Sequence, residues 1–98
     1  MLHCPHCKVE HDATTLLSCS DSAWPLPQWL WCECPACHER FHLHARDGEL
    51  ATIQVLGSPG AEFRTIETMP CSDLRTRQDP AFLHCWLGEV HYEYAARE

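Results

Sequence analysis

Two turns of the same composition, Cys4-Pro5-His6-Cys7 and Cys34-Pro35-Ala36-Cys37, constrain this chain more than any other feature in it. Two thiolates separated by two residues share one tight turn and therefore face one space. The proline fixes a φ angle and lowers the entropy lost when the turn forms. Two such turns, with 26 residues between Cys7 and Cys34, supply four sulfurs, which is a closed tetrahedral shell for one Zn²⁺. Cys4, Cys7, Cys34 and Cys37 are the expected ligands. A four-sulfur shell leaves no position for water or substrate, so the expected role of the ion is structural.

A structural ion suits the length. The chain has 98 residues, enough for a single domain over 1–98 whose core is adequate without being generous. Zinc contributes about 10–16 kcal/mol of apparent folding energy where the site is absent from the unfolded chain. The eight cysteines also admit a secreted disulfide scaffold, but four already stand at metal-ligand spacing. No charged-then-apolar leader precedes Cys4, and many reduced thiols fit a reducing compartment. The expectation is a cytoplasmic protein. No apolar run reaches the length of a membrane span, because Pro25, Pro27 and polar residues interrupt each candidate.

The formal net charge is −7, and four thiolates around one Zn²⁺ make it more negative still. Proteins that bind nucleic acid through phosphates carry the opposite balance. Arg75 and Arg77 come closest to a basic run, and Asp73 and Asp79 flank them. The charge points to a basic protein partner, or to mimicry of nucleic-acid charge, with no direct contact to nucleic acid.

Residue patterning is mostly that of strands. Thr14 to Cys19 is a β-prone run ending in the polar Ser20-Asp21-Ser22 turn. Trp24-Pro25-Leu26-Pro27 cannot sit within a central strand and is expected to form an extended loop. Gln28 to Glu33 reads as a strand with Trp29 and Trp31 on one face and Leu30 and Cys32 on the other. Phe41, Leu43 and Ala45 then alternate with Arg40, His42, His44 and Arg46, which predicts a half-buried strand. Asp47-Gly48 signals a tight turn, Leu50 to Leu56 a return strand, Gly57 to Gly60 another turn and Phe63 to Thr68 a further strand. Residues 69–79 read as a connecting loop. Asp79-Pro80 offers an N-cap acceptor followed by proline. Leu83, Trp86, Leu87, Val90 and Tyr94 follow at helical spacing, so a C-terminal helix is expected, interrupted at Gly88. Val90, Tyr92 and Tyr94 also alternate as a strand would.

Two Cys-Pro-x-Cys knuckles beside short antiparallel strands resemble the zinc-ribbon family over about residues 1–68. The resemblance implies a structural zinc on Cys4, Cys7, Cys34 and Cys37. Many ribbons carry glycine just after a knuckle, where this chain has Lys8 and His38. The expected fold class is α+β and mostly β: a zinc ribbon and β meander over 1–68, then a loop and a C-terminal helical extension over 69–98 packed on the sheet.

The remaining reactive residues have ordinary readings. Cys32 lies two residues before Cys34 and would compete for the metal only by breaking the symmetry of the two knuckles. Cys19, Cys71 and Cys85 read as small buried hydrophobes, although a second metal site from Cys71, Cys85, His84 and His91 is conceivable. His42 and His44 share the polar face of their strand and read as solvent-facing side chains. His3, His6 and His11 surround the first knuckle, exposed or donating to its thiolates. Paired carboxylates such as Asp12 and Asp21, or Glu89 and Glu93, have no context that sets them apart. Glu93 and Arg97 read as ordinary helix-surface pairing. No nucleophile elbow, phosphate loop or His-Glu-x-x-His helix is present.

The expected function is therefore that of a non-enzymatic zinc protein that binds another protein, as a subunit, an adaptor or an acidic inhibitor. Trp24 on its stiff proline loop is the kind of aromatic that anchors interfaces. Leu26 beside it, and His42 with His44, complete the candidate partner face, while Trp29 and Trp31 are expected to be internal. Two other readings stand beside this one. The paired knuckles, small size and acidity resemble rubredoxins, which would make the chain an iron electron carrier. A nucleic-acid-binding ribbon would instead stack bases on Trp29 and Trp31.

Overall fold

The computed structural model describes residues 1–23, 28–56 and 62–95. The expected Trp24–Pro27 loop, with Trp24 and Leu26, lies outside the described residues, as do the Gly57–Gly60 turn and Arg97. The chain opens with two short strands, β1 (Leu2–His3) and β2 (Glu10–His11), paired antiparallel around the first knuckle. A single helical element, α1 (Ala13–Ser18), follows. Next come β3 (Ser20–Ser22), β4 (Trp29–Glu33), β5 (Arg40–Arg46), β6 (Gly48–Leu56) and β7 (Glu62–Cys71), which form one antiparallel sheet in sequence order. β8 (Leu74–Gln78), β9 (Phe82–Leu87) and β10 (Val90–Ala95) form a second antiparallel sheet.

The period-two pattern sets what each face of the large sheet does. Leu30 and Cys32 of β4 pair with Leu43 and Phe41 of β5, and all four are buried. Ala45 and Leu50 continue this inner face, and α1 adds Leu16 and Leu17. The three-stranded sheet closes the core with Leu74, Leu83, Cys85 and Tyr94. Tyr94 is tied across the core, its hydroxyl donating to the Leu17 carbonyl at 2.6 Å. The other face of the large sheet bears Trp29 and Trp31, directly opposite His44 and His42.

The expected C-terminal helix is absent; the same residues form the β9–β10 hairpin. The fold is nearly all β, and α1 is the only helix among the described residues. Asp79 therefore caps no helix; it makes an Asx turn that launches a strand. Its Oδ1 accepts from the amides of Ala81 at 3.1 Å and Phe82 at 2.8 Å. Gly88 then takes a φ of +63° at the first of two loop residues, which suits a hairpin turn and cannot continue a helix. The alternation of Val90, Tyr92 and Tyr94 carried the correct period; Tyr94 alone of the three is buried.

Two further expectations are corrected. Thr14 to Cys19 is helical through Ser18, because Asp12 accepts from the Thr15 amide at 2.8 Å as an N-cap, and Ala13, Leu16 and Leu17 fall on one buried side. Residues 69–79 are no loop: β7 runs to Cys71 and β8 begins at Leu74. Asp47 anchors β8 by accepting from the Thr76 amide at 2.7 Å, which joins the β5–β6 turn to the second sheet. Among the described residues no helix is long and apolar enough to cross a membrane.

Candidate metal centre

Each knuckle is the loop of a hairpin. The first joins β1 to β2, and the second joins β4 to β5 just beyond the Glu33–Arg40 pair. Their backbones repeat the same bonds. The Cys4 amide donates to the Val9 carbonyl at 3.0 Å and the Cys34 amide to the Glu39 carbonyl at 2.9 Å. The Lys8 amide returns to the Cys4 carbonyl at 2.9 Å, and the His38 amide to the Cys34 carbonyl at 2.8 Å. Both return bonds need a left-handed residue. Lys8 and His38 supply it with φ of 68° and 65°, so the backbone that glycine favours forms here without glycine.

The turns aim amides as well as sulfurs. Cys4 Sγ accepts from the amides of His6 at 3.4 Å and Cys7 at 3.5 Å, and Cys34 Sγ from that of Ala36 at 3.4 Å. Such donors stabilise thiolate over thiol. The four sulfurs come together from opposite knuckles: Cys4 to Cys37 is 3.7 Å, and Cys7 to Cys34 is 3.7 Å. All four lie within 4.8 Å of one another. A tetrahedral ion with metal–sulfur bonds of about 2.3 Å requires sulfurs about 3.8 Å apart. The sequence-predicted ligand set fits a four-coordinate metal.

The thiols do not behave alike. Burial pushes Cys34 up, but the Cys37 and Ala36 amides and the His11 ring outweigh it and bring the thiol down to about 6. The Glu39 amide pulls Cys37 down, yet burial and the three neighbouring sulfurs carry it up to about 12. Four thiols in one space cannot all ionise without a cation. A bound metal supplies that charge.

Of the three histidines near the first knuckle, only His11 reaches a sulfur. It is buried, and its Nε2 stands 3.4 Å from Cys34 Sγ. His6 instead donates from Nε2 to the Arg40 carbonyl at 3.0 Å and so ties the first knuckle to the second. His3 pairs with Glu67 at 3.0 Å. Cys32 faces the core, where its Sγ lies 3.6 Å from the Leu16 carbonyl and burial pushes its thiol up to about 11. Cys85 is buried in the core at about 12 for the same reason. Neither can contribute to the cysteine site.

The outer sheet face brings His42 and His44 together with the tryptophans. The His42 ring lies 4.3 Å from that of Trp31 and the His44 ring 5.4 Å from that of Trp29, centroid to centroid. Trp29 also meets Phe63 at 4.7 Å. Trp29 and Trp31 are half-buried here and do not form the core, contrary to the expectation that they are internal. Burial lowers the pKa of both histidines, with Arg46 adding to the effect at His44, so both are neutral at pH 7. Between this face and the first knuckle runs an open groove of about 570 Å³. Its walls include Lys8, Arg40, Arg64, Trp31, His42 and Ile66.

Comparison of the chain with protein-family models, with curated proteins and with solved structures finds no match. The metal-binding assignment rests on the four converging sulfurs.

Proposed function

We propose that this chain is a non-catalytic zinc-ribbon protein that binds a protein partner through the outer face of its five-stranded sheet. The observation that carries this reading is the apolar strip on that face: Phe63 is 43% exposed and Ile66 44% exposed, beside half-buried Trp29 and Trp31. A closed metal site on the neighbouring knuckles stiffens one wall of the groove. Aromatic side chains already held by neighbours lose little entropy on binding and anchor interfaces. Lys8, Arg40 and Arg64 at the groove give it local positive charge within an acidic chain. A partner segment with apolar side chains and nearby carboxylates complements it.

Zinc is the ion this reading assigns, although four thiolates also hold iron. Metal analysis separates the two: zinc gives a colourless protein, while iron in a rubredoxin-like carrier gives a red one. The partner reading is tested by capture from host extract with the wild-type chain and with Trp31→Ala and Phe63→Ala, all carrying one ion per cysteine site. A partner whose affinity falls by tenfold or more in both variants supports it. A partner held equally by all three chains places the interface elsewhere.

The same groove favours one second reading. Lys8, Arg40 and Arg64 beside Trp31 are the elements of a single-strand nucleic-acid surface, cations for phosphates and a ring for bases. Net charge opposes it. Binding of an unstructured oligonucleotide at physiological salt, weakened by Arg64→Gln, would favour this reading over a protein partner.

A further inference from the structure

The β9–β10 hairpin carries a second group of donors that shares no residue with the cysteine site. Leu83 and Cys85 turn inward to the core, so His84 and Trp86 face outward. His84 is nevertheless only 8% exposed. Trp86 packs against it with centroids 5.7 Å apart, and the His91 ring completes the cluster, 5.2 Å from His84 and 4.9 Å from Trp86. In register, Glu93 is directly opposite His84 and His91 is opposite Trp86, so both reach the same ring.

The hydrogen bonds of His84 fix its tautomer. Its Nε2 lies 3.0 Å from Asp79 Oδ2, and an ionised carboxylate can only accept, so Nε2 carries the hydrogen. In the neutral ring Nδ1 is then a bare lone pair. His91 Nε2 approaches that atom to 3.0 Å and Glu93 Oε2 to 3.7 Å. A carboxylate that holds the far nitrogen of an imidazole is the usual support of a metal-binding histidine.

We propose that His84, His91 and Glu93 form a second metal site that takes a divalent cation of borderline softness, such as Zn²⁺ or Co²⁺. The three donor atoms lie within 4.8 Å of one another. Tetrahedral metal–nitrogen bonds of about 2.0–2.1 Å set ligand nitrogens about 3.3–3.4 Å apart, so the 3.0 Å between the two ring nitrogens needs to open by only about 0.3–0.4 Å. Two imidazoles and a carboxylate leave a fourth position for water or an added anion. Without the ion, one proton on His91 Nε2 bridges the two rings, whose planes differ by 15°. Entry of the cation moves that proton to Nδ1 of the same ring, with no net proton released. His91 is exposed and swings to bring its lone pair onto the ion; His84 stays fixed by Asp79 and Trp86. Arg77 is the nearby cation, with Nη2 3.9 Å from Asp79 Oδ2, where it adds to the hold on Asp79.

The test is a zinc and cobalt titration of the full chain with its cysteine site already loaded. The wild-type chain should take a second equivalent, and the ring nitrogens of His84 and His91 should shift in nitrogen-15 NMR spectra as it does. His91→Ala and Glu93→Gln should each weaken that equivalent by tenfold or more. Asp79→Asn keeps an oxygen for the Ala81 and Phe82 amides and should weaken it by about 10–100-fold as a positioning change. The thiolate-to-cobalt charge-transfer band of the cysteine site reports folding and should be unchanged in all three. Uptake of one equivalent only by the wild-type chain overturns the proposal. So does a second equivalent that binds His91→Ala and Glu93→Gln with wild-type affinity.

Discussion

Lys8 and His38 occupy the same backbone conformation, φ 68° and 65°, one residue past the second cysteine of each knuckle. Each closes its turn through an amide bonded to the first cysteine's carbonyl. A side chain in this region costs roughly 1–2 kcal/mol relative to glycine, part of which glycine returns as entropy of the unfolded chain. Lys8→Gly and His38→Gly should therefore each stabilise the metal-loaded protein by up to about 1 kcal/mol. His38→Val should destabilise it, since a β-branched side chain resists this φ. Denaturant unfolding of the zinc-loaded variants measures both, and equal losses for glycine and valine would refute the strain argument.

His11 controls how firmly protons compete with the metal. Its Nε2 is the only side-chain nitrogen among the described residues within hydrogen-bond range of a knuckle sulfur. It helps hold the Cys34 thiol down near 6 against burial. Removing the donor raises that thiol, so protons displace the ion at higher pH. His11→Ala should lower zinc affinity by about 10–100-fold and move the midpoint of acid-induced zinc release to higher pH. Competition with a chromophoric chelator across a pH series reads both. An unchanged release midpoint would remove His11 from the site.

The four ligands were legible in the sequence because CPxC is a local signal: both cysteines of a pair share one turn, whatever surrounds it. The strands from Gln28 to Leu56 were legible for the same reason, since the alternation of Phe41, Leu43 and Ala45 directly encodes a buried face. The C-terminus was not. An Asp-Pro start serves a helix and an Asx turn equally, and Leu83, Trp86, Leu87, Val90 and Tyr94 match helical spacing by coincidence. Only pairing with β8, remote from the local pattern, decides it. The Asp12 cap of α1 was a readable signal that the threonines at 14 and 15 masked. Glu93 was passed over beside His84 because a helical reading separates them by two and a half turns, while the hairpin sets them face to face.

The two faces of the large sheet should differ in their contribution to stability. Leu43 is fully buried opposite Leu30, whereas Trp31 is half-buried beside His42 on the outer face. Leu43→Ala should cost about 2–5 kcal/mol through the cavity it leaves. Trp31→Ala should cost about 1–2 kcal/mol, because only part of the ring's apolar area is withdrawn from water. Thermal or denaturant unfolding of the zinc-loaded chains gives the comparison. A larger loss at Trp31 would mean that the ring supports the core after all.

Tyr94 gives the fold an alkaline limit. Its hydroxyl is buried and donates to the Leu17 carbonyl at 2.6 Å, which joins the last strand to α1. Burial pushes its pKa well above the ordinary 10, with Cys85 and Tyr92 adding to the effect. The unfolded chain therefore loses this proton first as pH rises. Stability from Tyr94 is complete below about pH 10, the ordinary tyrosine range, and drains as pH climbs from there towards the raised folded value. Tyr94→Phe should lose about 1–2 kcal/mol at neutral pH, because the Leu17 carbonyl is left without its partner. The same variant should show a shallower loss of stability between about pH 10 and pH 12. Urea midpoints measured at pH 7 and across the alkaline range test both halves. Parallel alkaline curves for wild type and Tyr94→Phe would show that another group, and not this hydroxyl, sets the limit.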